Sequence, residues 1–154
     1  MDLGVEFDLV RTEGRGHAIE LTQQAVQNGY GLVVAVGGDG TSHEVVNGLI
    51  AGANGPIAGT LACIPAGSGN DFAAMNGVPE DVQGACELLA AGGTRVVDVG
   101  RVTIDGRIRR YFDNVVGIGF DGLVTMESRK FKHLRGMLLY LPVIFDKPFL
   151  FILI

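Results

Sequence analysis

Apolar residues along the chain occur at two different spacings, and the change between them is sharpest near residue 37. Residues 32–36 are five consecutive apolar residues, a run typical of a strand buried on both faces. Glycines occupy three of the next four positions. Apolar residues then return at helical spacing, at Val45, Val46, Leu49 and Ile50. This pattern predicts a buried strand, a glycine turn and a helix.

Two segments before this point also predict regular structure. Residues 5–10 alternate between apolar and polar side chains, which predicts a strand. Residues 17–27 have a partial apolar face and predict a helix, which we expect Asn28 and Gly29 to end. The side chains expected to face outward from this helix are Thr22, Gln23 and Gln24.

The chain after residue 59 predicts further strands and helices, followed by a change of pattern. Residues 60–64 predict a second short buried strand, and residues 79–81 begin a helix that glycines at 92 and 93 end. Two alternating runs then flank Asp105 and Gly106, a dipeptide that predicts a β-hairpin between residues 94–104 and 107–116. We therefore predict a domain boundary near Gly93, between a domain of residues 1–93 and an incomplete domain of residues 94–154.

The glycine turn has the features of a phosphate-binding loop. Glycines let a ligand approach the backbone where no Cβ intervenes, and the first N–H groups of the following helix lack internal partners. Asp39 would repel a phosphate unless Mg²⁺ lies between them or the carboxylate faces a substrate hydroxyl. The alternative is an ordinary turn in which Asp39 has only a structural role. In both cases we expect Thr41 to cap the helix and Glu44 to complete a capping box.

A second glycine loop follows the second predicted strand. It contains Ser68 and Asn70, and Asp71 is placed either to cap a short helix or to reach toward the strand ends. Parallel strands joined by right-handed crossovers end at the same edge of a sheet, so both loops are expected to line one cleft. Alone, this loop is ordinary turn chemistry. Together with the first loop it favours a nucleotide site.

Composition narrows the classes of function. Hydrophobic residues make up 47% of the 154 residues, and the formal net charge of −5 argues against broad nucleic-acid binding. Cys63 and Cys86 have apolar neighbours, so we expect two buried free thiols and neither a disulfide nor a metal pair. The apolar residues after 137 are interrupted by charges and prolines. They predict no membrane-spanning helix, and we expect that the chain is cut within its fold.

Two later segments carry weaker signals. Residues 117–122 match the spacing of a dinucleotide-binding glycine motif, but we reject that interpretation because the flanking pattern is a hairpin and Asp121 would repel a pyrophosphate. Basic residues between 129 and 135 indicate the solvated start of a helix. Attraction to an anionic membrane surface is the minority alternative.

Four motifs together resemble the catalytic domain of diacylglycerol kinases, a family that includes bacterial lipid kinases and sphingosine kinases. They lie in the family's order and spacing at residues 36–41, 44–48, 64–73 and 114–121. The resemblance implies an α/β fold like that of NAD kinases and diacylglycerol kinases, with a parallel-sheet nucleotide domain followed by an antiparallel β-rich domain. It also implies ATP and Mg²⁺ as cofactors, a lipid hydroxyl as acceptor, and a cytoplasmic enzyme at a membrane surface.

Carried over by position, the family's nucleotide contacts fall on the first glycine turn and two outlying residues. Asp39 is the candidate catalytic residue, and Ser68 stands where the family usually has threonine. The implied nucleotide-binding residues are Thr12, Gly37, Gly38, Asp39, Gly40, Thr41, Ser42, His43, Glu44 and Ser68. No metal ligand is assigned, because the family's magnesium ligands and general base are expected beyond Ile154.

Departures from the family pattern leave other interpretations open. The family's opening strand and much of its second domain have no counterpart here, so we expect an inactive fragment of a lipid kinase whose acceptor is diacylglycerol. One alternative is an NAD kinase with a soluble acceptor, against which residues 65–72 argue. The other is a non-catalytic module that binds nucleotide or nothing. The sequence assigns no oligomeric state.

Overall fold

The computed structural model describes residues 4–53 and 59–117. Strands and helices alternate in the first part of the chain, and an antiparallel hairpin follows, which confirms the predicted α/β fold class. The elements are α1 (His17–Gln27), β1 (Leu32–Gly37), α2 (Asp39–Gly52), β2 (Thr60–Pro65), α3 (Asp71–Met75), α4 (Val82–Ala90), β3 (Gly100–Ile104) and β4 (Ile108–Phe112).

Strands β1 and β2 form a parallel pair. Their register runs from Leu32 opposite Thr60 to Gly37 opposite Pro65, so both strands end at the same edge. Short apolar side chains from the strand and two helices form the core beside this pair, with Val26, Val33, Leu61 and Cys63 packed around it. The buried members are Ala18, Ala35, Val45 and Leu49. The sheet therefore places both following loops on one side of this core.

Helices α1 and α2 approach closely because α2 presents glycines to α1. A Cβ at Gly48 would lie 2.6 Å from the Ile19 carbonyl oxygen, and one at Gly52 would lie 3.2 Å from the Gln23 Cα. Thr22 lies against Gly48 and is only 2% exposed, so the prediction that it faces outward is wrong. The contact between α1 and α2 buries Thr22, because Gly48 on α2 has no side chain and leaves room for it.

Residues 5–10 form no strand, contrary to the prediction. Phe7 is 77% exposed and Leu9 is 69% exposed, and the parallel sheet contains only β1 and β2 among the described residues. The Tyr30 hydroxyl donates a hydrogen bond to Asp8. Alternation specifies which side chains share a face, but a strand also requires a neighbouring backbone to pair with, and residues 5–10 have none within residues 4–53 and 59–117.

The later elements agree with the sequence pattern more closely. Asp81 caps α4 by accepting a hydrogen bond from the Gly84 N–H at 2.8 Å, and α4 ends before Gly92 as expected. Asp105 and Gly106 have φ angles of 51° and 66°, the conformation that a tight two-residue hairpin requires. The prediction that the first hairpin strand starts at residue 94 is wrong. It starts at Gly100, because its pairing ends with Gly100 opposite Phe112.

Some predictions fall on parts of the chain that are not described. The glycine motif at 117–122 lies largely outside the described residues, and the basic segment at 129–135 and the apolar segment after 137 lie wholly outside them. The contacts between residues divide the chain into two compact units, residues 1–114 and residues 115–154. The domain boundary near Gly93 stays a prediction. Within residues 4–53 and 59–117, no helix has the length and hydropathy needed to cross a bilayer.

Replacing Gly48 with alanine should destabilise the fold. The added Cβ would lie 2.5 Å from the Thr22 Cβ, so the two helices must separate, and overpacking of this kind costs about 1–3 kcal/mol. The measurement is the free energy of unfolding in urea. Gly40→Ala is the matched control in the same helix, because its Cβ would meet nothing within 4 Å. Equal stability of the Gly48→Ala variant and the parent would contradict the close helix contact.

Candidate functional site

The turns that follow β1 and β2 touch each other. The Ala66 N–H donates a hydrogen bond to the Gly37 carbonyl oxygen at 3.0 Å. A Cβ at Gly67 would overlap the Gly38 Cα and would lie 3.0 Å from the Gly38 nitrogen, so the two backbones are in direct contact. The predicted convergence of the two loops is therefore observed. A small pocket between them is lined by Ala35, Gly37, Gly38, Asp39, Ser42, Cys63, Asn70 and Ala73.

Asp39 ties the first turn to the helix after the second. Its Oδ1 accepts a hydrogen bond from the Phe72 N–H at 3.0 Å. Helix α3 lacks a side-chain cap of its own, since Asn70 precedes it in a left-handed conformation with φ of 62°. Asp71 is exposed and is the first residue of α3, and Asp39 does the capping. The other oxygen of Asp39, Oδ2, faces Gly69, where a Cβ would lie 2.9 Å away.

The second loop is closed by its own asparagine. Asn70 Oδ1 accepts a hydrogen bond from the Gly67 N–H at 2.9 Å, and Asn70 Nδ2 donates one to the Gly67 carbonyl oxygen at 3.1 Å. Ser68 is exposed within this closed loop and is not among the residues that line the pocket. Asn70 therefore shapes the pocket, and Ser68 lies at its margin.

Helix α2 begins earlier than predicted. Gly38 is its N-cap with an extended backbone, and the Gly38 carbonyl oxygen accepts hydrogen bonds from Thr41 at 2.9 Å and Ser42 at 3.2 Å. The prediction that Thr41 caps the helix with Glu44 in a capping box is wrong, because Thr41 lies within the first turn. The N–H groups of Asp39 and Gly40 accordingly have no acceptor among the described residues.

The other residues predicted to bind nucleotide lie at different points around α2. Ser42 is buried, and its hydroxyl donates to the Asp39 carbonyl oxygen at 3.0 Å. Glu44 reaches away from the pocket to the start of α1, where its two oxygens accept hydrogen bonds from Gly16 and Ala18. Thr12 is exposed on the loop before α1. Of the predicted residues, the structure thus brings Gly37, Gly38, Asp39 and Ser42 together at the pocket. It places Thr12 and Glu44 near α1.

Asn47 is a polar residue whose role was not deduced from the sequence. It is 6% exposed, its Oδ1 accepts a hydrogen bond from the Tyr111 N–H at 3.0 Å, and its Nδ2 donates to the Tyr111 carbonyl oxygen at 2.8 Å. Its Nδ2 also donates to the His43 carbonyl oxygen at 2.8 Å. The sequence did carry a signal for this role, because Asn47 is a polar amide between Val46 and Leu49 on a buried helix face. A buried polar group requires a hydrogen-bond partner.

Two carboxylates act on Cys63, one of the residues that line the pocket. Burial, followed by the charges of Asp113 and Asp39, raises the pKa of Cys63 to about 11. Asp113 Oδ2 is buried and has no hydrogen-bond partner among the described residues. Both cysteines are free, as expected, but they are only partly buried, whereas buried thiols were expected. No group of three metal-binding side chains occurs within residues 4–53 and 59–117.

This arrangement can hold an anion more readily than a bare metal ion. Unpaired N–H groups at a helix start donate to phosphate oxygens, and the helix dipole favours negative charge there. A magnesium ion that arrives with phosphate ligands needs only one or two protein carboxylates, because phosphate oxygens and water complete its coordination. The Asp39 Oδ2 fits that requirement. The geometry therefore suits a phosphate compound carried with Mg²⁺.

Comparison with known proteins identifies the family. The fold and the paired glycine turns define an α/β domain of the class that binds ligands where its parallel strands end. The profile of the diacylglycerol kinase catalytic domain matches residues 1–102. The chain belongs to this family, as the resemblance of its motifs implied.

Relatives in the family are identical to this chain at about a third of the aligned positions. Diacylglycerol kinase of Staphylococcus epidermidis is 36% identical over 138 residues, which cover 89% of this chain and 41% of that protein. Diacylglycerol kinase of Bacillus subtilis is 37% identical over 139 residues, with 89% and 43% covered. The crystal structure of a diacylglycerol kinase from Bacillus anthracis matches with a TM-score of 0.56 at 33% identity, covering 67% of this chain and 35% of that one. The chain spans less than half the length of these relatives.

Substituting Gly67 with alanine should separate the two turns. The new Cβ would overlap the Gly38 Cα and would lie 2.8 Å from Asn70 Oδ1, so we expect a loss of about 1–3 kcal/mol in the free energy of unfolding. Denaturant unfolding measures the loss. Gly93→Ala is the control, since its Cβ would meet nothing within 4 Å. A Gly67→Ala variant as stable as the parent would show that the turns do not touch.

The raised pKa of Cys63 should make its thiol slow to react. Its pKa of about 11, against an ordinary value of 9.0, lowers the thiolate fraction about 100-fold at pH 8 and below, and only the thiolate is nucleophilic. Alkylation by iodoacetamide at pH 8, followed by mass spectrometry in a Cys86→Ala variant, measures the rate. The same variant unfolded in urea is the control. Equal rates for the folded and unfolded variant would refute the raised pKa.

Proposed function

We propose that this protein is an ATP-dependent lipid kinase, or the nucleotide-binding portion of one, that phosphorylates a lipid hydroxyl. The observation that carries the proposal is the contact between the two glycine turns. Beside it lie the Asp39 carboxylate and the N–H groups of Asp39 and Gly40, which have no acceptor in the described part of the chain. The names of the relatives support diacylglycerol as the acceptor.

The start of α2 would hold the phosphates of ATP. The N–H groups of Asp39 and Gly40 would donate to phosphate oxygens, and the absence of a side chain at Gly38 lets the ligand approach the backbone. Mg²⁺ bound with ATP would supply charge neutralisation for the transferred phosphoryl group. In such a reaction the protein contributes chiefly position and electrostatics.

Asp39 would serve the structure and the reaction with different oxygens. Oδ1 is held by the Phe72 N–H at 3.0 Å, which fixes the direction of the carboxylate. Oδ2 is then available for the metal ion or for the acceptor hydroxyl. A carboxylate oriented in this way needs little reorganisation when charge develops in the transition state. The structural role and the catalytic role of Asp39 are therefore compatible.

The acceptor places the enzyme at a membrane. Diacylglycerol remains in the bilayer, so a kinase that phosphorylates it would be a cytoplasmic enzyme that binds the membrane surface peripherally. ATP and the lipid are its proposed partners, and nucleic acid is not.

Asp39→Asn is the variant that tests this function. Asparagine keeps an oxygen for the Phe72 N–H but removes the charge, so the fold should persist while phosphate transfer falls about 100-fold or more. The measurement is transfer of labelled phosphate from ATP to diacylglycerol, sphingosine and NAD, using protein expressed from the whole gene that encodes these residues.

The control makes the same substitution at a helix cap away from the pocket. Asp81→Asn at the start of α4 should leave transfer unchanged. Full activity of Asp39→Asn would remove Asp39 from the reaction. If phosphate were transferred to NAD but to neither lipid, the protein would be a kinase for a soluble acceptor. If phosphate were transferred to none of the three acceptors, the protein would be a non-catalytic binding module.

A further inference from the structure

Glu44 forms its hydrogen bonds outside its own helix. Its Oε1 accepts from the Gly16 N–H at 2.8 Å and its Oε2 accepts from the Ala18 N–H at 3.2 Å. Both contacts are partly buried and join positions 26 and 28 residues apart in the chain. The side chain of Glu44 therefore connects α2 to the loop that leads into α1.

The start of α1 needs such a partner. Gly16 is the N-cap of α1 in a left-handed conformation with φ of 85°, and no side chain of its own segment caps the helix. A carboxylate at a helix N-terminus satisfies free N–H groups and interacts favourably with the helix dipole. Hydrogen bonds of this kind, with a charged acceptor, are among the stronger ones in proteins. Glu44 thus holds the end of the loop at a defined place.

The same contacts make Glu44 a poor ligand for phosphate. Both of its oxygens already accept hydrogen bonds, and its negative charge would repel the phosphates proposed to lie at the start of α2. Glu44 lies a little more than one helical turn after the N–H groups of Asp39 and Gly40. Glu44 can instead hold the loop of residues 11–16, which contains the exposed Thr12, at a fixed position relative to the start of α2.

We propose that Glu44 is a positioning residue that fixes the loop of residues 11–16 for nucleotide binding and does not itself contact the nucleotide. The inference rests on the proposed function, because it concerns the affinity for ATP. The family resemblance implied that Glu44 contacts the nucleotide directly. Here Glu44 instead affects nucleotide binding indirectly, through its hydrogen bonds to the N–H groups of Gly16 and Ala18.

Glu44→Gln separates these two roles. Glutamine has one oxygen in place of two and no charge, so the loop should loosen. Hydrogen exchange across residues 11–18 should become faster, and the Kd for ATP measured by calorimetry should rise about tenfold, as expected for the loss of one hydrogen bond to a charged group. In the transfer assay KM for ATP should rise with kcat unchanged. The protein is again expressed from the whole gene.

Two further variants sharpen the test. Glu87→Gln makes the same change on the exposed face of α4 and should alter none of these quantities. Thr12→Val removes the hydroxyl that the family resemblance assigns to nucleotide. If Glu44 acts through the loop, Thr12→Val should weaken ATP binding in the parent but add little in the Glu44→Gln background, a coupling that a general loss of stability would not produce.

Each other outcome overturns the inference in a distinct way. Tighter ATP binding by Glu44→Gln would place Glu44 beside the phosphates. Unchanged exchange across residues 11–18 would show that Glu44 does not hold the loop, and faster exchange with unchanged Kd would show that the loop does not serve the nucleotide. Failure of the unsubstituted protein to bind ATP would overturn the proposed function itself, which the exchange measurement does not depend on.

Discussion

Helix starts leave N–H groups without internal acceptors, and in this protein helix α2 supplies acceptors to two of its neighbours. Asp39 in its first turn caps α3, and Glu44 in its second turn caps α1. Both neighbours begin with a residue in a left-handed conformation and have no side-chain cap of their own. The relative positions of three helices and two loops therefore depend on two carboxylates of one helix.

Helix α2 itself begins without a side-chain cap. Gly38 supplies the backbone geometry, and the N–H groups of Asp39 and Gly40 are left without acceptors among the described residues. This opening lies where the Gly38 and Gly67 backbones touch, a contact that a Cβ at position 67 would prevent. The carboxylates that satisfy α1 and α3 thus leave the start of α2 open, which is the physical basis for proposing that a phosphate binds there.

A third polar side chain of α2 extends this arrangement to the hairpin. Asn47 exchanges two hydrogen bonds with the backbone of Tyr111 and so acts toward β4 as a neighbouring strand would. Glycines at 48 and 52 on the same helix allow α1 to pack closely. One helix therefore carries the glycine contacts, the two caps and the strand-like amide, and its sequence is constrained for several purposes at once.

The sequence by itself determined the elements that depend on neighbouring residues. Strands β1 and β2, helices α1 and α4 and the Asp105–Gly106 turn follow from local periodicity and turn chemistry, and the order of strands placed both glycine loops at one edge. Only the tertiary structure decided which groups the polar side chains satisfy. Glu44 caps a distant helix and not its own, Thr22 is buried against a glycine, and residues 5–10 pair with no strand that the structure describes. These outcomes depend on contacts between residues far apart in the chain, and a pattern of apolar and polar positions carries no information about which distant backbone group will be left without a partner.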